Sequence, residues 1–504
     1  RPFIVDTVRE HLVAEGFEID ALLHPVLAVE RDRAGRVVTV RGRTAAGPKV
    51  SVVHCRVRDH VDAARATALE AGLRERLEDV LLVTDDFELM VARVDAVADE
   101  LRRLAERRPD EREELLETVE FLRWLRDRGF LFLGYRAYAL VSLPDGRAAL
   151  AIEPNSGLGI LRREDRSAFR TPRPLDELPD DVRERFLHGP VLFITKSNAE
   201  SQVRRRARMD YVGVKRLDAD GRPIGEHRFL GLFTRKAYGQ PAGDIPVLRR
   251  KLEGILARAG AERRSHDYEA IVAIFHSLPK EELFVSTVED LEDDIARIIE
   301  TEGTGEVRLR VRRDPWGRGV QVLVLIPPRL FSEAAHRQIR EEMVRTFGGT
   351  VLYDHAVLPE GQISRIHLYL SAPHDRIDAV HVDELEERIA RLVKGWTDRL
   401  AELLEERNPP EVAHALADRY EGAFSPEYMA TVEPETALAD IASLEAVQTT
   451  GELQVSLRPL PGEAGEDASQ LRIFARHGEL ILADLIPTLD NLGIRVLEAD
   501  AVDV

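Results

Sequence analysis

One module recurs three times along this chain and limits what it can fold into. It is an amphipathic helix, a glycine that ends it, and a run of strand-forming residues. The first copy reads Ile4-Val5, Val8, Leu12-Val13, then Gly16, then residues 17–29. The second reads Ile339, Met343-Val344, Phe347, then Gly348-Gly349, then residues 350–358. The third reads Leu482, Leu485-Ile486, Leu489, Leu492, then Gly493, then residues 494–499. Apolar spacing of three and four is what a helix buried on one side requires. The glycine suits the left-handed position just past a helix end. Strands at 320–326 and 471–475 precede the second and third helices, and another at 363–370 follows in the second copy. That order is the first half of a ferredoxin-like βαββαβ unit, so the fold class is α+β and multidomain.

A different unit separates the first two copies. Residues 111–128 predict a helix carrying Leu115, Leu116, Val119, Leu122 and Leu125. Strands are expected at 130–141, 148–152, 191–195, 211–216 and 228–233, with turns at Pro144-Asp145-Gly146 and Asp218-Ala219-Asp220-Gly221. Residues 245–259 and 268–276 read as linker helices. Residues 382–406 predict one longer helix, with Leu385, Ile389, Leu392, Trp396 and Leu403 at near-heptad spacing. Asn408-Pro409-Pro410 breaks it, and a second helix follows from Glu411. Residues 462–467 read as a loop, and Trp316 as part of a hairpin turn where it would anchor an interface.

At 504 residues the chain should hold three to five compact units. A net charge of −19 argues against nucleic acid and anionic membrane as partners. No run of 18 apolar residues is present, and a cytoplasmic location is expected. Only seven of the 71 basic residues are lysine, a bias of genome composition rather than chemistry. Cys55 stands alone, which excludes a disulfide framework and cysteine-rich zinc sites. The chain opens on Arg1 inside a predicted helix and ends on Val504 inside a strand-like run, so it is expected to be a segment of a longer protein.

Catalytic signatures are missing. The closest glycine-rich stretch, Asn155-Ser156-Gly157-Leu158-Gly159, lacks the third glycine and the distant acid of a dinucleotide fingerprint. No HExxH, GxSxG or histidine–cysteine cluster is present. His266-Asp267 reads as a helix start. No catalytic, cofactor-binding or metal-ligating residue is therefore expected in this segment.

The most distinctive stretch is 193–234. It contains Thr195-Lys196-Ser197-Asn198, Met209-Asp210-Tyr211-Val212-Gly213-Val214-Lys215, Gly225-Glu226 and Arg228-Phe229-Leu230-Gly231-Leu232-Phe233-Thr234. It resembles the N-terminal region of the large bacterial NAD-dependent glutamate dehydrogenases, with Arg204 where that family would carry a histidine. Residues 472–499, with Gly478 and Gly493, resemble an ACT-like domain. The resemblance implies ACT-like units at 1–108, 283–376 and 449–504, the first lacking its opening strand and the third cut at its C-terminal end. It also implies a PAS-like antiparallel sheet domain at 109–244, a helical linker at 245–282 and a helical motif at 377–448.

For function, the resemblance implies oxidative deamination of L-glutamate to 2-oxoglutarate and ammonium, with hydride passing to NAD in a separate C-terminal domain of the parent enzyme. This segment would assemble a homo-oligomer and couple an amino-acid effector to that domain. An effector carboxylate in an ACT-like unit would sit at the first strand–helix turn, where glycine allows close approach and free helix N–H groups attract it. That nominates Arg476, His477, Gly478 and Glu479 in the third copy. It nominates Arg329, Phe331, Ser332 and Glu333 in the second, where Pro327-Pro328 replaces the glycine. Lys196, Ser197, Arg204, Arg205, Arg206, Arg208 and Asp210 form either an interface loop for an acidic surface or an anion site using guanidinium forks. A stand-alone amino-acid sensor and a scaffold that binds nothing remain the alternatives.

Overall fold

The computed structural model describes residues 1–504 except 59, 165, 166, 168, 179, 315–318, 360, 361, 421, 461–467, 477–481, 493, 495 and 497–504. Two compact units divide them. The first comprises Arg1–Gly305, Arg310–Leu325 and Val344–Val380, and the second Glu306–Leu309, Ile326–Met343 and His381–Val504. No described helix is long and apolar enough to cross a membrane.

The first unit starts with α1 (Ile4–Ala14), which buries Val8 and Leu12 of the expected stripe together with Thr7 and His11, while Val13 is exposed. Gly16, at φ 81°, takes the chain out of the helix. Strands β1 (Ile19–Leu23), β2 (Val26–Arg31), β3 (Val37–Arg41), β4 (Lys49–Ser51) and β5 (His54–Val57) follow. They form two small sheets, β1-β5 and β3-β2-β4, not one ferredoxin-like sheet. Strands of three to six residues, with Val37, Val38 and Val40 exposed, present no continuous apolar face for a layer of helices. Two helices that the repeat does not predict come next, α2 (Ala63–Asp85) and α3 (Phe87–Arg107). The Asp62 carboxylate caps α2 by accepting from Arg65 N at 2.7 Å. Met90, Val94, Val97, Ala98 and Leu101 form the buried stripe of α3.

The large sheet grows from the next stretch. Helix α4 (Arg112–Trp124) ends in a wide turn at Leu125–Gly129 and feeds β6 (Phe130–Ser142). Then come β7 (Ala148–Ile152), β8 (Leu158–Gly159), β9 (Arg173–Pro174), α5 (Asp180–His188), β10 (Leu192–Ser201), β11 (Ala207–Leu217) and β12 (Pro223–Phe233). The strand order is β10-β11-β12-β6-β7-β9, with β8 paired to β6. Both predicted turns are present, with Gly146 and Gly221 at positive φ. One face of this sheet buries Ile194, Val212, Val214, Phe229 and Phe132 in the main core, with α3 and α4.

Helices α6 (Arg235–Gly239), α7 (Leu248–Arg258), α8 (His266–Ser277), α9 (Lys280–Val285) and α10 (Val288–Thr301) close that core. The four-stranded sheet that follows contains β13 (Arg308–Arg313), β14 (Val320–Ile326), β15 (Thr350–Val357) and β16 (Ser364–Ser371), with α11 (Glu333–Phe347) between β14 and β15. Its order, β13-β14-β16-β15, is that of a ferredoxin-like sheet, but the outer strand β13 arrives first along the chain instead of last. Arg-Leu-Arg-Val-Arg-Arg conceals this strand, because arginine takes the alternating positions where strand patterns show apolar residues. Trp316 lies outside the described residues.

After α12 (His374–Asp378), the second unit contains α13 (Val382–Val393), α14 (Trp396–Arg407), α15 (Pro410–Tyr420), α16 (Pro426–Thr431) and α17 (Pro434–Thr450). The single helix expected at 382–406 is two. Gly395 breaks it and then serves α14 as N-cap, its N–H donating to Asp398 at 3.3 Å. The core of this helical group is Leu400, Leu404, Ala413, Phe424, Tyr428, Ala437 and Ile441. Strands β17 (Gln454–Leu460) and β18 (Ala468–Phe474) form an antiparallel hairpin, and α18 (Leu482–Asn491) follows. The loop expected at 462–467 lies outside the described residues.

Candidate functional site

The second face of the large sheet is polar and buried. Side chains alternate along a strand, so Tyr211, Gly213 and Lys215 of β11 share this face while Val212 and Val214 enter the core. Register places Gly213 opposite Arg228, Lys215 opposite Glu226, Glu226 opposite Tyr138, and Arg228 opposite Arg136. The result is a contiguous patch over β11, β12 and β6. Tyr138, Leu150, Leu175 and Phe186 form an apolar cluster beside it, with Phe169 packed against them.

Arg228 is the centre of the patch. Its guanidinium carbon lies 4.0 Å from the Tyr138 ring centroid, 4.7 Å from Tyr211 and 5.2 Å from Phe169. Its Nε donates to Tyr211 Oη at 2.7 Å and to Glu226 Oε1 at 3.1 Å, and Nη1 donates to Tyr138 Oη at 2.8 Å. The Tyr211 hydroxyl donates in turn to Glu226. Burial alone would lower the Arg228 pKa, but Tyr211, Glu226 and Tyr138 together hold it above its usual value. Burial also keeps the Tyr211 phenol protonated well beyond its ordinary range.

Two further cations lie on this face, and the acceptors described for them are main-chain carbonyls. Lys215 is 3% exposed, and its Nζ donates to the Gly189 carbonyl at 2.6 Å. Burial lowers its pKa to about 8, only partly opposed by Glu114. Arg136 is 1% exposed, donates from Nη2 to the Leu161 and Arg163 carbonyls, and has no acceptor for Nε.

The residues nominated from sequence are distributed differently. Lys196 pairs with Asp210 at 2.5 Å, and Asp210 also accepts from Phe233 N at 3.0 Å. Asp210 is one step from Tyr211 along β11, so it belongs to the opposite face from Arg228. Ser197 Oγ donates to the Ala199 carbonyl at 2.8 Å. The arginine run fans apart. Arg204, at φ 69°, donates its N–H to Thr7 Oγ1 at 3.0 Å and lies over the Phe3 ring. Arg205 donates to the Phe233 carbonyl at 3.4 Å, Arg206 pairs with Glu200 at 2.6 Å, and Arg208 stands opposite Glu200 in register. In the second unit Arg329 pairs with Asp398 at 3.3 Å, and the Ser332 hydroxyl accepts from Ala335 N at 3.0 Å at the start of α11. Phe331 is half-buried beside His336, and Glu333 is exposed. Arg476 is exposed near Gly451, while His477, Gly478 and Glu479 lie outside the described residues.

Arg136, Tyr138, Lys215, Glu226 and Arg228 were not nominated. For Lys215, Glu226 and Arg228 the signal lies in the alternation of polar and apolar residues through Tyr211-Val212-Gly213-Val214-Lys215 and Glu226-His227-Arg228-Phe229.

The glycine-rich stretch at 155–159 does not fit a dinucleotide. A Cβ on Gly157 would collide with the Leu161 carbonyl, and one on Gly159 with the Leu133 carbonyl. These glycines let the chain pack against itself, not around a pyrophosphate. Among the described residues, no group of three or more His, Cys, Asp or Glu is placed to hold a metal ion.

Five family models match, in order along the chain. They are glutamate dehydrogenase ACT1 domain at 1–73, helical motif 1 at 245–303, ACT2 domain at 308–397, helical motif 2 at 402–447 and ACT3 domain at 452–504. An NAD-specific glutamate dehydrogenase from Halomonas elongata is 31% identical over 98% of this chain, which spans 31% of that protein's length. One from Pseudomonas aeruginosa is 29% identical over 98% of this chain and 30% of its own. Among solved structures, the periplasmic sensory domain of the Campylobacter jejuni chemoreceptor Tlp1 aligns with TM-score 0.15 and 9% identity, covering 60% of this chain and 96% of its own. A likeness that low carries no argument.

Proposed function

The chain belongs to the bacterial NAD-specific glutamate dehydrogenase family, and from that membership we propose that it is the regulatory and assembly region of a cytoplasmic enzyme. The parent reaction is oxidative deamination of L-glutamate to 2-oxoglutarate and ammonium, with hydride passed to NAD by a C-terminal catalytic domain of the same polypeptide. The observation that carries this reading is the ordered series of ACT domains and helical motifs, at 1–73 and from 245 to the end, in a chain that spans about a third of its relatives' length. In this reading the large sheet is a PAS-like sensor module, supported by its single antiparallel sheet with helices on one face and a covering segment on the other. The ACT-like and helical parts build the homo-oligomer, and an amino-acid effector biases it between two states.

NADH formation from glutamate and NAD tests this, measured on the intact gene product and on residues 1–504 alone. Activity in the intact protein only is the expected result. An intact, folded and oligomeric protein without activity would remove the dehydrogenase reading and leave a stand-alone sensor. Activity in the segment alone would show that the catalytic residues lie within it.

A further inference from the structure

We propose that the seat of helix α1 on the β10–β11 hairpin is a pH-sensitive latch, closed while His11 is neutral and released when His11 takes a proton. The latch lies wholly within the first unit and is independent of the parent reaction.

The hairpin tip and α1 meet at strained backbone. Phe3, which precedes α1, has φ 68°, and Arg204 at the tip has φ 69°. Left-handed conformations cost energy in residues other than glycine and persist only where surrounding contacts hold them. Here the holding contacts belong to the joint itself. Arg204 N–H donates to Thr7 Oγ1 at 3.0 Å, its guanidinium carbon lies 5.9 Å from the Phe3 ring centroid, and Arg206 N–H reaches Glu10 Oε2 at 3.5 Å. Ser201 and Val203 of the hairpin are each only 1% exposed.

His11 lies at this contact. It is 3% exposed, and no described residue hydrogen-bonds either ring nitrogen. The cavity beside it has a volume of about 10 Å³, room for one water at most, and its lining includes Thr7, Glu10, Arg76, Gln202 and Arg206. On the α2 side the ring abuts Gly72, where an added Cβ would meet Nε2 at 2.8 Å. A proton on this ring therefore brings a charge that the closed joint neither hydrates nor pairs well. The charged groups around it are Arg76 on α2, Glu10 and Glu15 on α1, and Arg206 on the tip, which pairs with Glu200. Burial and then Arg76 hold the His11 pKa below its ordinary 6.5, against the opposing pull of Glu15, whose Oε1 is 3.8 Å from Nδ1, and of the Leu69 carbonyl. In the open joint the imidazole takes its proton near 6.5. The seat is therefore retained above that pH and lost progressively below it.

The experiment is hydrogen exchange of the whole chain read by mass spectrometry, with protection factors corrected for the intrinsic pH dependence of amide exchange. Between pH 7.5 and 5.5, protection of residues 4–14 and 201–207 should fall by up to about tenfold, the range open to a one-proton equilibrium, while β6 and β12 keep theirs. His11→Leu should abolish the fall. Arg76→Gln should shrink it, because the closed joint then tolerates the proton better, and Glu15→Gln should leave it as large or larger. A fall of less than about twofold, an equal fall in His11→Leu, or an equal fall in β6 and β12 would each overturn the latch. If His11→Leu does not melt cooperatively, the other two variants decide. A smaller fall in Arg76→Gln with no smaller fall in Glu15→Gln supports the latch, and any other pattern removes it.

Discussion

Two buried polar sheet faces in the first unit invite comparison, because they treat their cations in opposite ways. On the four-stranded sheet, Arg312 of β13 donates to Asp294 at 3.0 Å, to Gln321 Oε1 at 2.9 Å and to Ser286 at 2.8 Å, with Asp290 at 3.5 Å. Arg310 pairs with Asp294 at 2.9 Å and Asp293 at 3.3 Å. His367 of β16 meets Glu282 of α9 at 2.8 Å. The acids come from α9 and α10, so this face is a docking joint in which strand arginines meet helix carboxylates. Arg365 is its exception, with Nε and Nη1 unpartnered and Glu302 the nearby countercharge. On the seven-stranded sheet the cations converge, and carbonyls take the place of carboxylates. One face neutralises its cations with carboxylates from packed helices, and the other satisfies them mainly with hydroxyl and main-chain carbonyl oxygens.

The largest expected effect breaks the docking joint. Asp294 is 5% exposed and serves both Arg310 and Arg312. Asp294→Ala removes the shared carboxylate and leaves two half-buried guanidinium groups short of charge. Stability should fall by about 3–5 kcal/mol, read as a lower urea midpoint with an unchanged slope. A loss under about 1 kcal/mol would mean that this face is no better neutralised than the other, and the contrast would fail.

A smaller effect is expected from Gly213→Ala on the outer face of the large sheet. A Cβ there would enter the Phe193 ring, which stacks on Tyr211 with centroids 5.7 Å apart. The ring can swing aside because its far edge is the point of collision, so the cost should be about 1–2 kcal/mol. Unchanged tyrosine and phenylalanine near-ultraviolet dichroism in this variant would show that the ring does not lie against the polar patch as described.

Much of this architecture could be read from the sequence, for reasons tied to particular residues. The stop at Gly16, the hairpin at Asp218–Gly221 and strands β14 and β16 depend on local rules, namely left-handed glycine, turn chemistry and continuous apolar runs. Strand β13 was hidden because its arginines find partners only when α10 packs against it. The break at Gly395 was hidden because the apolar stripe from Leu385 to Leu403 continues across it, while the cap from Asp398 is a local bond. The candidate site was half legible. The distinctive string at 209–215 marks the right strand, whereas the preceding charged run Arg204–Arg208 diverges in the fold. Arg136 could not have been assigned, since its place opposite Arg228 depends on strands 92 residues apart in sequence pairing in this register.

The smallest effect sharpens the comparison through pH. Lys215→Met removes a buried cation and leaves the Gly189 carbonyl without its donor, two changes of opposite sign, so stability near pH 7 should move by no more than about 1 kcal/mol. The pH dependence should change more clearly. Folded Lys215 releases its proton near pH 8, and the unfolded chain near 10.5. Between those values the unfolded chain binds more protons, so this residue makes stability rise with pH, and the gain is lost as pH falls through about 8. Lys251, lowered to about 7 by burial, adds a similar rise in both proteins and cancels in their difference. Urea midpoints of the two proteins between pH 7 and 10 should therefore diverge, with the unsubstituted chain gaining on the variant as pH increases. Parallel curves would mean that Lys215 is solvated or neutralised by a carboxylate in solution, and the outer face would then resemble the docking joint.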